Sequence, residues 1–163
     1  MEDAKRKVML LASNCEKDTY ELGARLADSA MPGDIICLDG DLGAGKTVFT
    51  KGFAAGLGIT EPVTSPTFTI IHSYAGRLPL HHFDVYRIED EDEMFELGYE
   101  EYFFGEGVCL IEWSTLIPSC IPAHAVHITI ERDYLQSDEY RKITIEGATP
   151  GMAEALKNIG EAE

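Results

Sequence analysis

Eight residues constrain this chain more than any others. Gly40-Asp41-Leu42-Gly43-Ala44-Gly45-Lys46-Thr47 fits the pattern G-x-x-x-x-G-K-[ST]. The run Asp34-Ile35-Ile36-Cys37-Leu38-Asp39, apolar and of strand length, leads directly into it. Residues 45–57 follow with Val48, Phe49, Phe53 and Leu57 at helical spacing, and Gly56, Gly58 and Pro62 mark the end of that helix. Strand, glycine loop and helix in immediate succession make a cradle for phosphate. Glycines let the backbone bend tightly and turn its N–H groups toward an anion, and the helix points its positive end at the same place. The motif therefore predicts a site for ATP and Mg²⁺. Asp41, Leu42, Gly43, Ala44, Gly45, Lys46, Thr47 and Val48 surround the phosphates, Lys46 reaches the β- and γ-phosphates from an exposed position, and the Thr47 hydroxyl ligates the metal.

The rest of the chain gives that loop an α/β setting. Residues 8–12 read as a first strand, and Tyr20, Leu22, Leu26 and Ala30 place a helix within 16–31 before Pro32-Gly33. Residues 64–74 read as a loop running into a strand, and Leu80 to Ile88 as another strand. Five acids, Glu89 to Glu93, open a short helix whose dipole favours negative charge at that end. Val108-Cys109-Leu110-Ile111 is a buried strand closing on Glu112-Trp113. Residues 125–131 and 140–146 alternate apolar and polar and form a β-hairpin with a long loop. Residues 148–163 read as a helix or frayed tail. The expectation is one domain over residues 1–163 with a P-loop NTPase fold: a mainly parallel central sheet flanked by helices, with an antiparallel C-terminal hairpin.

Bulk properties narrow the partners. The formal net charge is −16, which disfavours direct binding to nucleic acid phosphates and suits a partner with a basic surface. The four cysteines form no C-x-x-C pair, so a zinc or redox site is not expected. Cys37 and Cys109 lie in apolar runs, where cysteine acts as a small hydrophobe. No apolar run is long enough for a membrane span, and Val8 to Ala12 is too short for a signal sequence, so the expected location is the cytoplasm.

A phosphate loop of this kind works with a second acid that holds or orders the Mg²⁺ shell. Two residues qualify: Glu112, at the end of a buried strand, and Asp84, within His81-His82-Phe83-Asp84-Val85-Tyr86-Arg87. Lys46, Asp84 and Glu112 are thus the catalytic candidates, and Thr47 and Glu112 the metal ligands. Asp84 orders either the attacking water or the water shell of the metal. His81 and His82, adjacent on a strand, point to opposite faces and read as packed or surface residues. Trp113 is either core or a contact to nucleotide or partner. Ser65 and Thr67, between the phosphate loop and the acids, are either turn formers or a switch that senses the γ-phosphate.

Taken together, the loop Gly40–Phe49, Ser65-Pro66-Thr67-Phe68-Thr69-Ile70, His82-Phe83-Asp84-Val85-Tyr86-Arg87 and Glu112-Trp113 resemble, in order and spacing, the bacterial TsaE (YjeE) ATPases over roughly residues 10–146. The resemblance implies ATP hydrolysis in support of N6-threonylcarbamoyladenosine (t6A) formation on tRNA, together with TsaB and TsaD, with tRNA reached only through those partners. It implies Mg²⁺ ligation at Thr47 and Glu112, phosphate binding at Lys46 and its neighbours, a functional need for Asp84 and a switch at Ser65–Thr69. It also places Thr19 near the adenine and gives Arg132 or Arg141 a nucleotide contact. Other classes remain open on the residues alone. A small-molecule kinase needs a lid with arginines, and the six arginines here are scattered. A GTPase needs an N-K-x-D motif, which is absent. An adaptor that binds ATP without turnover would use the same ligands.

Overall fold

Seven strands form one sheet, in the order β1-β7-β6-β2-β5-β4-β3. The structure is a computed structural model that describes residues 7–41, 43–64, 66, 69–133, 135–157 and 159. The strands are β1 (Val8–Ser13), β2 (Ile35–Asp39), β3 (Ile71–Tyr74), β4 (Leu80–Asp84), β5 (Val108–Glu112), β6 (Val126–Arg132) and β7 (Arg141–Glu146). The helices are α1 (Glu16–Asp28), α2 (Lys46–Gly56), α3 (Asp92–Glu96), α4 (Tyr99–Phe103) and α5 (Pro150–Ala155).

The sheet is less parallel than the sequence led us to expect. The central strands β6, β2, β5 and β4 run parallel. The flanking pairs β1–β7, β6–β7 and β3–β4 are antiparallel, so three of six pairings run each way. For β3–β4 the cause is connection length. Residues 75–79 between β3 and β4 are too few for a crossover and close a hairpin, whereas the parallel neighbours are joined through helices. The expected strand from Leu80 to Ile88 ends at Asp84. The C-terminal hairpin is present as expected, with β1 added along its outer edge.

Strand alternation sorts the core onto two faces. Ile36 and Leu38 of β2, Leu80 of β4, and Val108 and Leu110 of β5 pack under α1, α2 and α5. Ile35, Cys37, Phe83, Cys109 and Ile111 point the other way, under α3 and α4. The first α1–α2 face is built for close approach. A Cβ on Gly52 would collide with the carbonyl oxygen of Tyr20, so α2 can lie this near α1 only with glycine there. α5 is more than a frayed tail: Met152 and Leu156 are fully buried, and the Thr149 side chain caps the helix by accepting from the Met152 N–H at 3.1 Å. None of the four cysteines, all described, forms a disulfide.

Candidate functional site

A cleft of about 520 Å³ opens where the C-terminal ends of β4 and β5 face the start of α2. Crevices at the carboxyl ends of parallel strands are the usual ligand sites of open α/β sheets. Gly43, Ala44, Gly45, Lys46, Thr47 and Val48 form one wall. Asp84, Glu112 and Trp113 form the other, and Thr19 and Arg141 stand at the edge. Asp41 belongs to the loop but is exposed and does not line the cleft, although its carbonyl accepts from the Ala44 N–H at 3.0 Å. Leu42, Ser65 and Thr67, the remaining candidates, lie outside the described residues.

The loop wall follows from its glycines. Gly45 is the N-cap of α2 with φ 115°, a left-handed conformation that favours glycine. It offers no side chain to cap the first turn, and the start of the helix lines the cleft, where such N–H groups can serve an anion. Lys46 departs from expectation: it is only 6% exposed. Its Nζ donates to the Gly40 carbonyl at 2.7 Å and sits 3.9 Å from the centre of the Trp113 ring. A carbonyl and an aromatic face both stabilise a desolvated ammonium, which explains how the lysine is tucked in. Trp113 is therefore a wall of the site, where it also packs against Tyr86 with ring centres 4.8 Å apart.

Two arginines from the hairpin reach back to the loop. Arg132 donates to the Gly43 carbonyl at 2.6 Å, and Arg141 Nε to the Ala44 carbonyl at 2.7 Å. Each engages a loop carbonyl, the end of the peptide opposite to the N–H groups that an anion would use. Arg141 also lines the cleft, whereas Arg132 does not. Thr19 is buried beside Gly45, and its Oγ1 is 2.6 Å from Ser13 Oγ.

The acid wall follows from register. Asp84 and Glu112 are direct partners across the parallel β4–β5 ladder. Alternation puts both on the α2 face, in line with Leu80, Val108 and Leu110. Both are nearly buried, at 8% and 5% exposure. Asp84 Oδ1 accepts from the Tyr86 N–H at 3.0 Å. Glu112 Oε2 accepts from His82 Nε2 at 2.7 Å. His82, which the sequence reading left as a packed or surface residue, is thus the partner of one of the proposed metal ligands. The signal was its i−2 spacing from Asp84, which puts the two on one face; the pairing itself depends on β4–β5 register.

Five further lining residues were not among the candidates, although Tyr86 and Arg87 close the His82–Arg87 motif. Cys15 and Glu16 at the start of α1, Tyr86 and Arg87 after β4, and Glu139 before β7 all line the cleft. Asp39 does not line it but secures it. Its carboxylate accepts from the Ser114 N–H and hydroxyl at 3.0 and 2.7 Å, fixing the turn after Glu112 and Trp113 to the end of β2.

Backbone strain gathers at the acids. Among the described residues, two other than glycine have positive φ: Ile70 at 68° and Trp113 at 63°. Trp113 directly follows Glu112. The Ile70 carbonyl accepts from the Asp84 N–H at 2.8 Å. A β-branched residue in this conformation is costly, and such strain clusters at ligand sites and switch segments.

The donor chemistry fits Mg²⁺. Thr47, Asp84 and Glu112 bring only oxygen ligands to the cleft, as a hard cation requires. No three His, Cys, Asp or Glu side chains converge as a metal cage among the described residues. The set therefore suits a cation shared with a phosphate ligand and water, which is how Mg²⁺ is ordinarily held.

The fold and cleft define a mixed α/β protein whose glycine loop and paired acids meet at the end of a parallel sheet core. The model of the family "Threonylcarbamoyl adenosine biosynthesis protein TsaE" matches residues 13–143, and the chain belongs to the TsaE family. The tRNA threonylcarbamoyladenosine biosynthesis protein TsaE of Bacillus subtilis is 54% identical over 129 residues, spanning 78% of each chain. The TsaE of Treponema pallidum is 41% identical over 137 residues, spanning 84% of this chain and 99% of that one. The crystal structure of Bacillus subtilis YdiB superimposes with a TM-score of 0.79 at 41% identity, covering 95% of both chains. The family serves tRNA threonylcarbamoyladenosine biosynthesis. No helix among the described residues is long and apolar enough to cross a membrane.

Proposed function

We propose that the chain is a Mg²⁺-dependent ATPase of P-loop NTPase fold that supports t6A formation on tRNA together with TsaB and TsaD in the cytoplasm. The observation that carries the reading is the meeting, in one cleft, of the Gly43–Val48 loop with Asp84 and Glu112. The N–H groups at the start of α2 and Lys46 hold the phosphates. On binding, Lys46 exchanges its Gly40 carbonyl for phosphate oxygens while Trp113 continues to pack against it. Thr47 and Glu112 hold Mg²⁺, which supplies charge neutralisation on the phosphates when bound. Asp84 orients the attacking water or the water shell of the metal. Arg141 and Thr19 hold the rest of the nucleotide at the cleft edge. Ser65 and Thr67 are the switch.

Turnover by the protein alone should be slow. The reading gives no arginine of this chain the part of a catalytic finger; Arg132 and Arg141 brace the loop through its carbonyls. With the net charge of −16, docking on a partner with a basic surface is favoured over gripping tRNA directly. The test is steady-state ATP hydrolysis with and without the TsaB–TsaD complex from the same source. Strong stimulation is expected. ATP binding without stimulation, while that complex is active on tRNA, would remove the catalytic role and favour an adaptor that uses ATP without turnover.

A further inference from the structure

We propose that His82 is a positioning residue that holds the Glu112 carboxylate in place for a divalent cation bound with the nucleotide. The inference rests on the Mg·ATP reading and adds a residue to it.

Three observations carry it. His82 Nε2 lies 2.7 Å from Glu112 Oε2, and the two side chains are only 2% and 7% exposed. The partners come from different strands, β4 and β5, on the face of the sheet that α1 and α2 cover. Most telling is the direction of approach. Glu112 lines the cleft, and His82 does not. The imidazole therefore meets the carboxylate from the protein side and leaves its cleft side open to a ligand. That position also argues against His82 as a metal ligand, as does imidazole's preference for softer metals than Mg²⁺.

The chemistry matches the arrangement. A carboxylate this far from water is unfavourable unless something donates to it, and a carboxylate that ligates metal is ordinarily oriented by a hydrogen bond behind it. Nε2 carries the proton that it donates to Glu112. Nδ1 is buried and has no hydrogen-bond partner among the described residues. A phenylalanine would fill the same space without an orphaned nitrogen, so what distinguishes the histidine here is its Nε2 donor. Losing it would leave Glu112 free to turn away from the cation.

The experiment compares the affinity for a non-hydrolysable ATP analogue in Mg²⁺ and in EDTA. Fluorescence of Trp113, the single tryptophan, at the wall of the cleft, is the readout. The Mg²⁺ enhancement of affinity is compared for wild type, His82→Phe and His82→Gln. The expected result is that His82→Phe loses about tenfold or more of the enhancement while binding in EDTA is unchanged, and that His82→Gln, which keeps an N–H donor, recovers most of it. A folded His82→Phe with the wild-type enhancement would overturn the proposal. If His82→Phe does not fold, His82→Asn takes its place, because its shorter amide falls short of Glu112; an enhancement kept in His82→Asn overturns the proposal equally. A wild-type protein that binds the analogue equally well with and without Mg²⁺ is a different failure. It would overturn the Mg·ATP reading itself, and the role of His82 with it.

Discussion

The two walls of the cleft are built by opposite means. The loop wall is local: Gly40 to Val48 are contiguous, and the strand before and helix after them fix their course. The acid wall is assembled by register. Asp84 and Glu112 are 28 positions apart and meet only because β4 and β5 pair in parallel at that offset. The walls also differ in charge and in how they are held. The loop presents N–H groups and Lys46, braced from outside by Arg132 and Arg141. The acids are braced from within by His82 and through the strained backbone at Ile70 and Trp113. A cleft with donors on one side and carboxylates on the other suits an anion and a cation bound together. Neither wall alone would favour that pair.

Damage to each wall should have its own signature. The largest effect is expected from Lys46→Ala, which removes the charge proposed to meet the phosphates and should lower ATP turnover by about 100-fold or more. Because Lys46 is buried against Gly40 and Trp113, the variant should also melt measurably lower, which thermal denaturation checks. Glu112→Gln comes next. It keeps the shape of the side chain but removes its charge, and should lower turnover by about 10- to 100-fold while binding in EDTA stays near wild type. An equal loss of binding in EDTA would mean that the acid wall serves the fold rather than the cation. Arg141→Ala loosens the brace on Ala44 and the edge of the cleft, and should weaken nucleotide affinity by about five- to tenfold, read by calorimetry.

The smallest effect probes β5 beneath the acids and needs no nucleotide. Burial pushes the Cys109 thiol from 9.0 up to about 12. The folded chain therefore keeps a proton that the unfolded chain releases once the pH passes about 9. The contribution to stability is full below that value and is lost as pH rises toward 12. Between these limits the urea midpoint of the wild type should fall more steeply than that of Cys109→Ala.

How much of this could be read from the sequence follows the same division. The course of the loop wall was legible, since a contiguous motif carries its own geometry, although Asp41 stands outside the cleft. Glu112 was legible too, because a buried apolar strand that ends in an acid stands out. The burial of Lys46 was not, since it depends on Trp113 folding back over it from the far wall. The His82–Glu112 pair spans 30 positions and the Arg141 brace 97, and no local pattern encodes either. Arg141 entered only through the resemblance to TsaE, which left Arg132 as an equal alternative. The parallel core of the sheet was foreseen, but its balance was not. The short connection between β3 and β4 and the return of β1 to the edge of β7 made half the pairings antiparallel.

The most direct test of the two-wall account is a crystal structure of the protein with Mg²⁺ and a non-hydrolysable ATP analogue. The account predicts the triphosphate against the N–H groups of Gly43 to Thr47, with Lys46 moved from Gly40 onto the phosphates. It predicts Mg²⁺ between Thr47 and Glu112, with His82 still hydrogen-bonded to the carboxylate. A nucleotide seated elsewhere, or one in this cleft with its metal remote from both acids, would contradict it.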